Sequence, residues 1–153
     1  MSEDSQAFER RIELPDATAT AGLGARIAAG LAPGDAVALE GDLGAGKTTL
    51  ARAILRALGV TEEVPSPTFT LVQQYDTERL SVRHYDLYRV AHAAEMRELG
   101  RDEALDAVAA LIEWPERAGD RLPAATLHVA LTISGPVSRN AHLRGPAKWA
   151  EHV

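Results

Sequence analysis

The chain contains no cysteine among its 153 residues. This absence excludes disulfide bonds and metal sites built from thiolates. No apolar run approaches the ~20 residues that a bilayer-spanning helix needs, and no early basic-then-apolar segment resembles a signal peptide. We therefore expect no membrane association and a cytoplasmic location.

An excess of positive charge is also missing, because 22 Asp and Glu residues outnumber 16 Lys and Arg residues and give a formal net charge of −6. A protein that grips RNA or DNA by itself usually carries a basic surface that neutralises phosphates. The charge balance therefore argues against independent nucleic-acid binding. It leaves room for a local basic patch or a basic protein partner.

The overall composition is that of a globular protein, with 46% hydrophobic and 25% charged residues. A chain of this length can bury a sizeable core. We predict one domain over residues 1–153, with flexible polar ends at 1–11 and 145–153.

The stretch from Gly41 to Thr49 fits the phosphate-loop pattern G-x-x-x-x-G-K-[ST] at every position. Glycines let successive backbone N–H groups turn towards phosphate oxygens, where a side chain would obstruct them. The Lys47 ammonium suits the β- and γ-phosphates, and the Thr48 hydroxyl suits Mg²⁺. The pattern predicts a site for a nucleoside triphosphate with Mg²⁺, formed by Asp42, Leu43, Gly44, Ala45, Gly46, Lys47, Thr48 and Thr49.

The segments beside the loop have the order that such a site requires. Apolar residues 36–40 predict a strand before the loop, and helical spacing of apolar residues predicts a helix over 49–58, capped by Gly59. Strand, loop and helix together indicate a phosphate-loop fold. We predict an α/β fold, namely a P-loop NTPase-like three-layer sandwich with a mostly parallel sheet and an antiparallel hairpin.

Other elements follow from periodicity and capping. Asp16 or Thr18 is expected to cap a helix over 17–31, which Gly22 and Gly24 weaken. An almost uninterrupted apolar run over 108–113 predicts a strand buried on both faces of a parallel sheet. The remaining predictions are a short strand at 12–14, hairpin strands from about 68 to 86, helices within 91–107, a strand within 123–133 and an edge strand at 139–143.

Two carboxylates, Asp86 and Glu113, each end a predicted strand. In phosphate-loop enzymes, such positions hold Mg²⁺ ligands or groups that orient the attacking water. Either residue fits either role. The competing interpretation for each is a solvated carboxylate at the end of a strand.

Other side chains carry less weight. A histidine in an alternating strand, such as His84, is more often packed or exposed than catalytic. Trp114 fits both a contact near the nucleotide or a partner and plain hydrophobic cover. Solvated cations are the simpler interpretation of a basic tail that contains Arg139, His142, Arg144 and Lys148.

Two further absences bear on the activity. GTPases normally read guanine with an N-K-x-D motif, and no such tetrapeptide occurs in the chain, which favours ATP. Small-molecule kinases usually need an arginine-bearing lid, and no arginine-rich insertion is present. A kinase therefore ranks below an ATPase.

Four segments together resemble one family, the bacterial ATPase called TsaE, which is required for threonylcarbamoyl modification of adenosine in transfer RNA. Residues 41–49 resemble its phosphate loop. The other segments follow in the family's order and spacing: S-P-T-F-T-L-V at 66–72, H-Y-D-L-Y-R at 84–89 and I-E-W-P-E at 112–116. The resemblance runs from about Leu14 to about Ile133, with Tyr85 where the family often has Phe and only a loose match after Ser134.

The resemblance implies roles for single residues. Lys47 and Thr48 correspond to the phosphate and Mg²⁺ contacts of the family. Asp86 and Glu113 correspond to the acidic pair that places metal and water. The other implied positions are Trp114 near the nucleotide or a partner surface, Thr68 within a switch-like segment over 65–72, and Thr20 beside the adenine.

The resemblance also implies protein partners, because such proteins bind a complex of the transferase subunit TsaD with TsaB, and ATP hydrolysis resets that complex for further turnover. We therefore expect an accessory ATPase that is slow alone and changes when partners bind. Two alternatives stay open: a small-molecule kinase, and a nucleotide-sensing adaptor that binds ATP without needing to cleave it.

Overall fold

The structure, a computed structural model, describes residues 8–42, 44–61, 72–86, 108–114 and 126–153. These residues form one sheet of seven strands in the order β1-β7-β6-β2-β5-β4-β3, two α-helices and a 3-10 helix at Ala147–Glu151. The strands are β1 (Phe8–Leu14), β2 (Ala36–Glu40), β3 (Val72–Asp76), β4 (Ser81–Asp86), β5 (Ala109–Glu113), β6 (Leu127–Ile133) and β7 (Arg139–Gly145). The helices are α1 (Ala17–Gly30) and α2 (Lys47–Ala57). No helix in these ranges is long and apolar enough to span a membrane.

The sheet is mixed. Strand β2 pairs in parallel with β5 and β6, and β4 pairs in parallel with β5. The other three pairs, β1–β7, β6–β7 and β3–β4, are antiparallel. The predicted α/β class is confirmed, but the prediction of a mostly parallel sheet is wrong, because β1 and β7 extend the sheet beyond β6 in alternating directions. The predicted helices within 91–107 lie outside the described residues.

The predicted hairpin is confirmed over its described part, where β3 and β4 pair from Val72 opposite Tyr85 to Asp76 opposite Ser81. The Ser81 hydroxyl donates to the Asp76 carboxylate at 2.7 Å and lowers the pKa of that carboxyl group, with Gln74 adding a second donor. These bonds fix the strands next to their turn. Residues 68–71 of the predicted hairpin lie outside the described part.

Strand β1 changes the arrangement expected at both ends of the chain. Residues 8–11 were predicted to be frayed, yet they form the first half of β1 and pair with β7. Consequently β7 lies between β1 and β6, and its prediction as an edge strand is wrong. The reason is that exposed charged residues over 9–11 conceal the strand pattern, while pairing with β7 satisfies their backbone groups.

Helices α1 and α2 share one buried core with the central strands. The predicted cap of α1 is confirmed for Asp16, whose carboxylate accepts a hydrogen bond from the Ala19 N–H at 2.9 Å. Alternate residues of a strand point to the same face, and those facing the helices complete the core. The cluster includes Leu23 and Ile27 of α1, Leu50 and Ile54 of α2, Val37 and Leu39 of β2, and Leu127 and Val129 of β6.

The C-terminal residues predicted to form a flexible tail pack against the fold instead. Residues 147–151 form the 3-10 helix, and Trp149 is only 1% exposed. Lys148 donates hydrogen bonds to the Gly30 carbonyl oxygen at 3.2 Å and to the Asp35 carboxylate. Burial of the indole holds this segment on the end of α1.

Gly24 lets α1 and α2 approach closely, and replacing it with alanine is expected to destabilise the protein. A Cβ at position 24 would lie 2.5 Å from the Ala53 Cβ and 3.0 Å from the Ile54 backbone nitrogen. Gly22, on the same helix, has no such neighbour within 4 Å. Both substitutions gain the same helix propensity, of about 0.8–1 kcal/mol. Overpacking at position 24 should therefore make the free energy of unfolding of Gly24→Ala lower than that of Gly22→Ala by about 1–3 kcal/mol. Urea unfolding of the two variants measures the difference, and equal stabilities would contradict the close helix contact.

Candidate functional site

The site is built around the glycine loop, residues 41–46, which connects the end of β2 to the start of α2. A Cβ at Gly41 would lie 2.6 Å from the Leu131 carbonyl oxygen, so no side chain fits where the loop passes β6. Gly46 precedes the first helical residue with φ at +106°, a left-handed conformation that glycine adopts at little cost. The loop therefore ends with the N–H groups of the α2 N-terminus directed out of the helix, where an anion is favoured.

The Lys47 ammonium lies inside the loop. Lys47 is 5% exposed, and its Nζ donates to the carbonyl oxygens of Gly41 and, at 3.1 Å, Asp42. The same Nζ lies 3.9 Å from the centre of the Trp114 ring, within the range of a cation–π interaction. Since an isolated buried cation is costly, these partners hold the positive charge at the loop.

A buried carboxylate faces the first turn of α2. The Thr48 hydroxyl donates to Glu113, with its Oγ1 2.9 Å from Oε1 and 3.0 Å from Oε2. His84 Nε2 lies 2.7 Å from Glu113 Oε2, and neither side chain is more than 3% exposed. Both carboxylate oxygens are therefore held, and the imidazole fixes the carboxylate from the side of β4.

Trp114 follows Glu113 directly and has a strained backbone. Its φ is +60°, an uncommon value for a residue other than glycine. Such conformations persist only where the surrounding structure imposes them, and they concentrate at functional sites. Here the turn leaves the indole over Lys47 while Glu113 stays beside Thr48.

The parallel pairing of β4 with β5 places Asp86 at the same end of the sheet as Glu113. Asp86 pairs in register with Glu113, and Glu113 pairs with Leu39 near the carboxyl end of β2. In open α/β sheets, ligands bind beyond the carboxyl ends of the strands. The backbone thus brings Asp86 and Glu113 to the end of the sheet from which the glycine loop departs.

The oxygen ligands at the site suit a hard cation whose remaining ligands come from an anionic substrate and from water. Among the described residues, no group of three or more His, Cys, Asp and Glu side chains forms a metal cluster. Mg²⁺ characteristically takes one or two carboxylates together with phosphates and waters. The Thr48 hydroxyl and the Glu113 carboxylate are oxygen ligands of that kind and can hold such an ion.

The structure brings together four of the predicted site residues: Lys47, Thr48, Glu113 and Trp114. Asp42 and Thr49 lie exposed at the loop and in the first turn of α2, and Thr20 is buried in the first turn of α1. Leu43 and Thr68 lie outside the described residues.

Sequence reasoning gave too little weight to His84 and Arg139. His84 lies two residues before Asp86, so the alternation of a strand places the two on one face, and that signal was present in the sequence. Arg139 contacts the loop across 94 residues of sequence, and no local pattern predicts such a contact.

Comparisons with known proteins agree over most of the chain. Residues 14–141 match the family described as threonylcarbamoyl adenosine biosynthesis protein TsaE. A protein from Nostoc named tRNA threonylcarbamoyladenosine biosynthesis protein TsaE is 37% identical over 138 residues, covering 87% of this chain and 84% of the relative. A protein of the same name from Rickettsia felis is 47% identical over 91 residues, covering 59% of this chain and 53% of that relative, about half its length. The crystal structure of YdiB from Bacillus subtilis superposes with a TM-score of 0.78 at 29% identity, covering 95% of this chain and 90% of YdiB.

Proposed function

The chain belongs to the TsaE family, and from this premise we propose that it binds and hydrolyses ATP in support of threonylcarbamoyl modification of adenosine in transfer RNA. The observation that carries the proposal is the pairing of the Thr48 hydroxyl with the buried Glu113 carboxylate beside the Lys47 ammonium. We assign to these groups, within one site, the binding of phosphate, the holding of a metal ion and the orientation of water.

Phosphate binding is assigned to the glycine loop. Backbone N–H groups of the loop and the N-terminus of α2 receive the phosphate oxygens, and Lys47 exchanges its carbonyl partners for the β- and γ-phosphates. The absence of an N-K-x-D motif favours adenine over guanine. By family resemblance, Thr20 lies beside the adenine.

Metal and water are assigned to Thr48, Glu113 and Asp86. Bound Mg²⁺ would neutralise charge on the β- and γ-phosphates. The Thr48 hydroxyl and one of the two carboxylates would hold the metal, and the other carboxylate would orient the water that attacks the γ-phosphorus. The water oxygen forms a bond to the γ-phosphorus as the bond between the γ-phosphorus and the β–γ bridging oxygen breaks. ADP and inorganic phosphate leave, and one proton of the water passes to solvent. His84 keeps the Glu113 carboxylate in place for either role.

The partners proposed for this activity are TsaD and TsaB, on the basis of the family. The acidic net charge of −6 suits an accessory that leaves contact with RNA to other subunits. Trp114 and Thr68 are the residues that the resemblance places near the nucleotide or the partner surface. Cytoplasmic location follows from the same role and is part of the proposal.

Two other functions use the same loop. A nucleotide-sensing adaptor would need the loop, Lys47 and a metal ligand but no group that orients water, so a second strand-end carboxylate in register with Glu113, at Asp86, favours hydrolysis. A small-molecule kinase would pass phosphate to an acceptor other than water. Phosphate transferred to a small acceptor would identify a kinase. Transfer-RNA modification that continues in Glu113 and Asp86 variants without hydrolysis would identify an adaptor.

A further inference from the structure

Arg139 lies outside the machinery described so far but contacts the glycine loop. It is the first residue of β7, and its side chain reaches the glycine loop. Its Nε lies 3.2 Å from the Ala45 carbonyl oxygen, and its Nη2 lies 3.1 Å from the Gly44 carbonyl oxygen. Its Nη1 donates to the carbonyl oxygens of Ser138 at 2.8 Å and Gly135 at 3.2 Å. One guanidinium thus joins the loop to the turn between β6 and β7.

The carbonyl oxygens of the loop explain why this contact matters. A loop that turns its N–H groups towards an anion must direct carbonyl oxygens elsewhere, and those oxygens need donors. The carbonyls of Gly41 and Asp42 accept from Lys47, and the Gly46 carbonyl accepts from the Leu50 N–H at 2.9 Å. The two remaining described carbonyls, at positions 44 and 45, accept from Arg139.

The two cations differ in what a bound nucleotide would do to them. Lys47 is the proposed phosphate ligand, so its bonds to the loop carbonyls compete with its contact to the triphosphate. The bonds of Arg139 need not be exchanged, because Arg139 is not assigned to the phosphates and four of its five N–H groups donate to carbonyl oxygens. Arg139 can therefore hold the loop both before and after nucleotide binding.

We propose that Arg139 is a positioning residue that keeps the carbonyl oxygens of Gly44 and Ala45 turned outward, so that the loop is ready to receive phosphate. The inference rests on the proposed function, since it treats the loop as a phosphate site. The planar fork of arginine is essential, because one lysine ammonium cannot reproduce its fixed set of parallel donors. Arg139 thereby acts through the backbone of the loop and makes no contact with the reacting phosphate.

The test compares Arg139→Gln and Arg139→Lys with the control Arg144→Gln. Arg144 lies on the same strand, is exposed, and has its Nη2 4.0 Å from Glu40 Oε1. The first measurement is amide hydrogen exchange in the nucleotide-free protein. We expect faster exchange at residues 44–48 in both Arg139 variants, with unchanged exchange in β2 and β5. We expect wild-type exchange throughout in Arg144→Gln.

The second measurement is binding of a fluorescent ATP analogue with Mg²⁺. Loss of two charge-assisted hydrogen bonds should raise the dissociation constant roughly 10- to 100-fold in the Arg139 variants, while kcat at saturating ATP changes little. Wild-type exchange and affinity in Arg139→Gln would overturn the proposal. So would a fall in kcat at unchanged affinity, which indicates contact with the reacting phosphate, or full function of Arg139→Lys, which shows that charge alone suffices. If the wild type fails to bind the analogue, the proposed function fails, and hydrogen exchange still decides whether Arg139 orders the loop.

Discussion

Lys47→Ala is expected to lose ATP binding almost completely while the protein stays folded. Lys47 is buried at 5% exposure, and its ammonium donates to the loop carbonyl oxygens of Gly41 and Asp42. Truncating one partner of a buried charged pair costs about 2–5 kcal/mol, which corresponds to a rise in dissociation constant of roughly 30- to 4,000-fold. Titration of the fluorescent ATP analogue with Mg²⁺ measures this change directly.

The effect on folding should be much smaller than the effect on binding. Without nucleotide, Lys47 donates to carbonyl oxygens and contacts the Trp114 ring, which stabilises the fold, while desolvation of its buried charge destabilises it. These contributions oppose one another, so the unfolding midpoint should move only slightly. The change in Trp114 fluorescence on removal of the ammonium provides a second readout in the free protein.

Lys148→Ala is the matched control, because the chain has only these two lysines. It removes the same charge from the opposite end of β2, where Lys148 contacts Gly30 and Asp35. Lower stability with unchanged ATP affinity is expected for this variant. ATP affinity that falls equally in both variants would indicate a general effect of net charge and would contradict the role of Lys47.

Glu113→Gln is expected to abolish hydrolysis at saturating ATP. The substitution keeps the size of a side chain that lies 2.9 Å from Thr48 and 2.7 Å from His84 but removes its negative charge. Loss of a carboxylate that acts on water or metal should lower kcat roughly 10²- to 10⁴-fold. Steady-state hydrolysis, with Glu78→Gln in the exposed β3–β4 turn as the control, measures the effect.

The Mg²⁺ dependence assigns the role of this carboxylate. If Glu113 is a metal ligand, the variant should need a higher Mg²⁺ concentration for half-maximal activity. If Glu113 orients water, substitution should lower kcat and leave the Mg²⁺ requirement unchanged. The same titration on Asp86→Asn should give the complementary result, because Asp86 pairs in register with Glu113. Hydrolysis at the wild-type rate in Glu113→Gln would contradict the proposed site. Transfer-RNA modification that continues after hydrolysis is lost would instead identify a nucleotide-sensing adaptor.

The parts of the fold that depend on neighbouring residues were predictable. The strand at 36–40 and the helix that follows the loop carry their signals in hydrophobic spacing and in glycine at the helix ends, so their prediction differs from the structure by only a few residues. The cap at Asp16 is local in the same sense. The buried strand over 109–113 was recognisable because a parallel strand covered on both faces is apolar throughout.

The parts that depend on strand order were not predictable. The pairing of β1 with β7 joins residues more than a hundred positions apart. Because of this pairing, β7 is an interior strand, although it was predicted to be an edge strand. The contact of Arg139 with Ala45 depends on the pairing of β7 with β6 and of β6 with β2, the strand that leads into the loop. The burial of Trp149 is also non-local, because its indole lies against Gly30 at the end of α1. Local periodicity carries no information about such contacts.

ATP hydrolysis by the purified protein, with and without TsaD and TsaB, tests whether the protein is an ATPase that works with those two partners. Lys47→Ala supplies the blank in each condition. We expect slow hydrolysis by the protein alone, a clear change in rate when both partners are present, and no hydrolysis in the blank. Hydrolysis that the partners leave unchanged, or phosphate transferred to a small acceptor, would contradict this role.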